Sequence, residues 1–200
     1  MRTIPARTAV ARTAVARTAV ARTAVVLTAT AAALAGAALP ATAAPGCSTA
    51  WGSLPESVVD SGGGTLDDAR SGRHACYDRL VLDLDGIDAS EVSYDVRYVR
   101  EVIEDGSGDV VPLRGGADLQ VLVHTPAHTG DGAATYDPRE DAEALDVSGY
   151  STFRQVAWAH SFEGESRFGV GVRARLPFRV TVLDGPGDGS RLVVDVAHTW

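Results

Sequence analysis

Two stretches of the chain, RLVLDL (residues 79–84) and RLVVDV (residues 191–196), repeat one pattern more than a hundred residues apart. Because successive side chains of a β-strand point to opposite faces, one face of each stretch would carry only aliphatic residues. The other face would carry Arg, Val and Asp. A helix would scatter the Arg and the Asp around its axis and leave no apolar stripe. The pattern therefore predicts two strands, each with one buried face and one face that bears an opposite-charge pair.

Further short segments read as strands in the same way. In residues 91–103, Val and Tyr alternate with Ser, Asp and Arg as far as Val99, where the alternation slips. Five more apolar segments, separated by Gly, Pro or acidic turns, cover residues 110–113, 117–125, 151–162, 166–176 and 178–183. Beyond residue 43 the sequence has no sustained 3.6-residue period. Eight or nine short strands at regular spacing predict an all-β fold, a two-sheet β-sandwich.

Two segments lack any strand pattern. Residues 55–72 are rich in Gly, Ser and Asp, which predicts a loop that leads into the first strong strand. Residues 125–147 contain Pro, Gly and acidic residues and no periodic apolar positions. A loop of that length in a compact domain is usually functional or disordered.

The first 43 residues have the features of a secretory signal peptide. ARTAV repeats supply arginines, an apolar run covers residues 25–39, and ATA at 41–43 offers small residues before a cut. Cleavage after Ala43 would leave one domain, residues 44–200, secreted and extracellular or wall-associated, with no membrane span. The alternative is an uncleaved membrane anchor, because the uncharged run approaches the length of a span.

The charge of the exported part excludes some partners. All 18 basic residues of the chain are Arg, and residues 44–200 hold 13 of them against all 26 acidic residues, a net charge of −13. Nucleic acids and anionic membrane surfaces select basic proteins. Neither is therefore expected as a partner.

The only two cysteines are Cys47 and Cys76. An even number of cysteines in an oxidising compartment predicts one disulfide, which would tie the N-terminal segment to the first strong strand. Alternatively, Cys47 could be the lipidated first residue of a lipoprotein. The preceding residues lack the aliphatic that such a site prefers, and lipidation would leave Cys76 unpaired.

Motifs of enzymes are absent from the sequence: it contains no G-x-S-x-G, H-E-x-x-H, P-loop or C-x-x-C. We therefore expect no catalytic residue, no metal and no cofactor. His124 and His128 are four residues apart, but Pro126 between them favours loop histidines over metal ligands. The enzyme alternative is a hydrolase that uses Asp83 and Asp195. An Arg on the same strand face would keep each of these carboxylates ionised, which argues against that role.

Four arginines are candidate ligand-binding residues. Arg79 and Arg191 lie on the charged faces of the two repeated strands, and Arg173 and Arg175 are predicted to share a strand face. On an acidic protein such residues first of all pair with its own Asp side chains. The functional alternative is a cationic strip that binds carboxylates of a cell-wall peptide.

Several motifs together resemble one known family. They are CSTAWGSLPES (47–57), GRHACYDRLVLDL (72–84), YDVRYV (94–99), GYSTFRQVAWAHSFEGESRFGVGVRARLPFRV (149–180) and RLVVDVAHTW (191–200). These segments resemble the AMIN-like domain family of exported actinobacterial proteins, over essentially all of residues 47–200. The resemblance implies a β-sandwich of two small sheets and a non-catalytic module that contacts peptidoglycan, with no catalytic residues. The amidase or secretin domain that accompanies the broader AMIN domain is not attached here. A protein-interaction module of the cell envelope, acting through the acidic loop 125–147, is the alternative.

Overall fold

The computed structural model of the protein describes residues 46–47, 50–185 and 187–200. The predicted signal peptide, residues 1–43, lies outside the described residues. Within these ranges, no helix has the length and apolar character that crossing a membrane requires.

The described chain is built almost entirely of strands. It contains one 3₁₀ helix (Asp141–Glu143) and eleven strands: β1 (Glu56–Val58), β2 (Thr65–Arg73), β3 (Tyr77–Asp85), β4 (Tyr94–Val99), β5 (Val102–Ile103), β6 (Val110–Val111), β7 (Ala117–Val123), β8 (Phe153–Phe162), β9 (Glu165–Val172), β10 (Phe178–Asp184) and β11 (Ser190–Ala197). The predicted all-β class is confirmed, although the prediction of eight or nine strands was too low.

The strands form two main antiparallel sheets. The five-stranded sheet has the order β1-β4-β7-β9-β8, the four-stranded sheet has the order β10-β11-β3-β2, and β5 and β6 form a small hairpin. Aliphatic and aromatic side chains from both main sheets meet in one buried cluster, which includes Leu82 and Leu192 from one sheet and Val121, Val170 and Phe168 from the other. This is the two-sheet β-sandwich that the sequence predicts.

The two repeated stretches are neighbours in the four-stranded sheet. β3 and β11 pair antiparallel, so that Arg79 lies opposite Asp195 and Asp83 lies opposite Arg191. The aliphatic residues at alternate positions, such as Leu82 and its partner Leu192, are fully buried and face the other sheet. The predicted division into an apolar face and a charged face is therefore confirmed for both strands.

The segment 55–72, predicted to be a loop, contains β1 and most of β2 instead. β2 is an edge strand, and only Leu66 and Ala69 of its nine residues are buried. Its register with β3 shifts between Leu66 and Asp68, which moves the later residues by one position. A mostly polar strand with such a shift has no regular apolar alternation, so the sequence pattern could not identify it.

The loop between β7 and β8 closes one side of the sandwich. Its Pro126 carbonyl accepts a 2.8 Å hydrogen bond from the backbone N–H of Leu66. Tyr136 packs edge-on against Trp158 with ring centroids 5.0 Å apart, and burial raises the pKa of this tyrosine to about 12. This long loop therefore contributes side chains to the core.

The two glycines of FGVGV lie where another segment crosses the outer side of β9. A Cβ on Gly169 would lie 3.0 Å from the side chain of Leu113, and a Cβ on Gly171 would overlap the carbonyl oxygen of Arg114. Both glycines therefore allow the segment at Leu113 and Arg114 to approach β9 closely.

We expect Gly171→Ala to lower the free energy of unfolding by about 1–3 kcal/mol, because the methyl group would force the segment at Arg114 away from β9. Urea unfolding measures the effect. Gly130→Ala is the control, since nothing lies within 4 Å of a Cβ at that position. Equal stability of the two variants would contradict the prediction.

Candidate ligand-binding face

The four-stranded sheet turns one side toward the core and the other away from it; we call the second side the outer face. Each strand contributes one arginine to this face: Arg70 from β2, Arg79 from β3, Arg179 from β10 and Arg191 from β11. Arg79 and Arg191, predicted from the sequence, are thus brought together. Sequence reasoning did not select Arg70, which lay in the segment interpreted as a loop. It also did not select Arg179, although its alternation with Val180 and Val182 was a usable signal.

Two of these arginines converge on one buried carboxylate. Asp195 is 1% exposed and accepts two hydrogen bonds from Arg79, from Nε at 2.6 Å and from Nη2 at 2.9 Å. Arg179 donates from Nε and Nη2 at 2.9 and 2.8 Å to Oδ2, the oxygen that also accepts from Nη2 of Arg79. The hydrogen bond with Asp195 raises the pKa of Arg79. Two cations on one anion leave this cluster with a net charge of +1.

A second ion pair lies at the other end of the outer face. Arg70 donates to both oxygens of Asp83, from Nε at 2.6 Å and from Nη2 at 2.7 Å. From the sequence we expected each Asp to be kept ionised by the Arg on the same face of its own strand. That pairing within one strand does not form, so this part of the prediction was wrong. Residues four apart on one strand are separated by about 13 Å, whereas side chains opposite each other on adjacent strands lie about 5 Å apart. The ion pairs of the outer face therefore cross between strands.

Arg191 differs from the other three arginines. Its Nη2 donates to the backbone carbonyl of Asp184 at 2.6 Å. Among the described residues, no carboxylate lies within 4.0 Å of its guanidinium, although Asp83 is its register partner. Asp83 is engaged by Arg70 instead. Arg191 is therefore an arginine of the outer face that forms no ion pair within the described part of the chain.

A concavity of about 280 Å³ opens between these side chains. Its floor is formed by Val81 and Val193, which are a register pair of β3 and β11 and are both buried. Three arginines line it, namely Arg70, Arg79 and Arg191. The outer face thus combines cationic walls with a small apolar floor.

An aromatic group borders the outer face at its Arg79 end. Tyr77 stacks on His74 with ring centroids 4.5 Å apart and meets Trp51 edge-on at 5.7 Å. The guanidinium of Arg179 lies 4.3 Å from the centre of the Trp51 ring. These contacts are cation–π and aromatic pairs within the protein itself.

The predicted disulfide is present. Cys47 and Cys76 are bonded, and Cys76 immediately precedes β3. The bond holds the segment that carries Trp51 beside Tyr77 and therefore supports the aromatic border of the outer face. A bonded Cys47 does not fit the lipoprotein alternative.

Arg173 and Arg175 do not share a strand face, so this part of the sequence prediction was wrong. β9 ends at Val172 because both of its neighbours, β7 and β8, reach their limits opposite that residue. Beyond it, Arg173 donates to the carbonyl of His198 and Arg175 donates to the carbonyl of Ser53. They belong to the end of the five-stranded sheet and do not join the outer face.

One further polar group is buried away from the outer face. Asp78 is fully buried and accepts hydrogen bonds from the backbone N–H groups of Thr152, at 2.6 Å, and Phe153, at 3.1 Å. His198 Nε2 lies 3.1 Å from its other oxygen. This group joins β3, the start of β8 and the chain after β11, so His198 takes part in a structural contact.

The fold and the outer face define an antiparallel β-sandwich domain with four arginines on the outer face of one sheet. The chain belongs to the AMIN-like domain family, whose model matches residues 64–198. The match includes every strand from β2 to β11. No curated protein and no solved structure matches the chain.

Proposed function

We propose that this protein is an exported, non-catalytic module that contacts the cell wall, and that peptidoglycan is the component it binds. Membership of the AMIN-like domain family supports a role at the cell envelope. The signal peptide predicted at residues 1–43 supports export. The observation that carries the proposal is the clustering of four arginines on the outer face of a domain whose net charge is −13.

The electrostatic argument is local. A domain with excess acid repels anionic polymers over long distances, but salt screens that repulsion beyond about 8 Å at physiological ionic strength. Within that distance a ligand at the outer face meets Arg191, which has no carboxylate partner in the described part of the chain, and a cluster around Asp195 with a net positive charge. A short-range contact with anionic groups of a wall polymer is therefore favourable.

The two acidic residues once considered for hydrolysis support a non-catalytic role. Asp83 receives two hydrogen bonds from Arg70, and Asp195 receives four from Arg79 and Arg179. Both carboxylates are bonded to arginines of the protein itself, and each of their four oxygens accepts at least one such hydrogen bond. These residues therefore organise the arginines of the outer face.

Sedimentation with insoluble peptidoglycan tests the proposal. We expect the disulfide-bonded protein to enter the pellet with wall material and to be released as salt is raised, because exposed ionic contacts are screened. Arg191→Gln should weaken binding by about tenfold, and Arg139→Gln, which changes an exposed arginine of the loop between β7 and β8, should not weaken it. If the protein stays in the supernatant at every salt concentration and pH, the proposal is wrong.

A further inference from the structure

We propose that the concavity of the outer face is a carboxylate-binding site built on Arg191, with Arg70 and Arg79 as its other walls. This inference rests on the proposed function and deepens it. Peptidoglycan offers neutral sugar rings along its glycan strands and free carboxylates on its stem peptides. The site selects the second group, so the module recognises the peptide part of the wall.

The first argument is the number of hydrogen-bond donors that remain at the concavity. Arg70 and Arg79 each use Nε and Nη2 for their Asp partners, and Arg191 uses Nη2 for the Asp184 carbonyl. Within the described ranges, Nη1 of these three arginines has no acceptor. An Nη1 carries two N–H groups, and arginine donates such groups to carboxylates in charge-assisted hydrogen bonds. Three of the residues that line the concavity therefore keep Nη1 donors without a partner in the described chain.

The second argument is the balance of charge around the concavity. Asp83 neutralises Arg70, and Asp195 is shared between Arg79 and Arg179. Asp68, the register partner of Asp83, adds a further negative charge at the Arg70 side, so the positive charge of the concavity lies with Arg191 and the Asp195 cluster. A single carboxylate placed between them compensates that charge, whereas a neutral sugar hydroxyl does not.

The third argument is the apolar character of the floor of the concavity. Val81 and Val193 are 7% and 4% exposed and bring an apolar surface beneath the guanidinium groups. An ion pair above an apolar floor is less screened than one in open water. The volume of about 280 Å³ lies just below the range of about 300–1,000 Å³ typical of sites for drug-sized ligands. It therefore suits a carboxylate with a short amino-acid side chain better than a disaccharide.

The fourth argument concerns the aromatic side chains, which are the usual platforms for sugars. Tyr77 is already contacted by His74, Trp51 and Arg79, and Trp51 is covered by Arg179. Tyr94 and Tyr98 of β4 pack with the core of the sandwich. The aromatic rings beside the outer face are thus engaged within the protein, and its arginines provide the recognition groups.

The test uses wall material with chemically altered anionic groups. One portion of purified peptidoglycan is left native. In a second, carbodiimide coupling to methylamine converts the carboxylates to amides. A third is treated with hydrofluoric acid, which removes phosphate-linked polymers and leaves the stem peptides. We expect the protein to bind the native and acid-treated walls equally and to bind the amidated wall at least about tenfold more weakly, since charged hydrogen bonds are lost.

Variants assign the binding to the concavity. Arg191→Gln should reduce binding to native wall to the level of the amidated wall, and Arg139→Gln should bind like the unaltered protein. Arg191→Lys keeps the charge but loses the planar fork, so its binding should be intermediate. The thermal midpoint of each variant, measured by circular dichroism, identifies any loss of folding.

The outcomes separate this inference from the proposed function. Equal binding to native and amidated walls would overturn the carboxylate site and leave wall binding intact. Loss of binding after the acid treatment alone would also overturn it, because phosphate would then be the ligand. Failure to bind any of the three walls would overturn the proposed function itself.

Discussion

Replacing Asp78 with Ala is expected to lower the free energy of unfolding by about 3–4 kcal/mol. Asp78 is fully buried, and its carboxylate joins β3 to the start of β8, which belongs to the other sheet, through the N–H groups of Thr152 and Phe153. The substitution would leave both donors buried and without their acceptor, and each such group costs about 1–3 kcal/mol. It would also remove the partner of His198. Urea unfolding followed by circular dichroism measures the loss.

Two controls isolate the role of the buried acceptor. Asp78→Asn keeps one carbonyl oxygen at nearly the same place and should lose markedly less stability than the Ala variant. Asp137→Ala removes an exposed carboxylate of the loop between β7 and β8 and should change the stability by no more than about 0.5 kcal/mol. A loss for Asp78→Ala no larger than that of Asp137→Ala would show that the group does not tie the two sheets together.

The second large effect is expected from removing the disulfide. The sequence separation of Cys47 and Cys76 is 29 residues. In the chain-entropy model a cross-link over a loop of this length stabilises the fold by about 3–4 kcal/mol, because it restricts the unfolded chain. The double variant Cys47→Ala/Cys76→Ala should therefore lose about that amount. Its urea dependence should be steeper, since the unfolded chain exposes more surface.

Reductant provides the matched comparison for the disulfide. Adding it to the unaltered protein should reproduce the loss seen in the double variant, and adding it to the double variant should change nothing. Loss of the bond should also free the segment that carries Trp51, which packs against Tyr77 and Arg179. Tryptophan fluorescence should then change before the global transition. Identical urea midpoints with and without reductant would contradict the entropic account.

The sequence was informative where a strand has one dry face and one wet face. In β3 and β11 the alternation is strict over six residues, and the structure places Leu82 and Leu192 in the core as predicted. The sequence did not predict β2. This edge strand has only two buried residues, Leu66 and Ala69, and the register shift between Leu66 and Asp68 breaks the alternation between them. An alternating sequence pattern reveals a strand only where alternate side chains are buried, whereas β2 is held mainly by its backbone pairing with β3.

The candidate site was predicted only in part, for a related reason. Alternation places Arg79 and Arg191 on the outward side of their strands, but it does not specify which strands are adjacent. Their ionic partners depend on that adjacency, because Arg79 pairs with Asp195 and Asp83 pairs with Arg70 rather than with Arg191. The prediction for Arg173 was wrong because β9 ends where β7 and β8 stop pairing with it. The sequence of β9 alone does not show that point.

The antiparallel register of β3 and β11 relates the two hexapeptides by a local two-fold axis that passes between Val81 and Val193. The strands on either side break this symmetry. Arg179 of β10 is a second cation on Asp195, whereas Arg70 of β2 pairs with Asp83, which would otherwise face Arg191. The two nearly identical hexapeptides therefore differ in their ion pairs: Arg79 is bonded to a carboxylate, whereas Arg191 is bonded only to a backbone carbonyl. A peptide lying across this surface has unequal anchor points, so it should dock in a single direction along the strands.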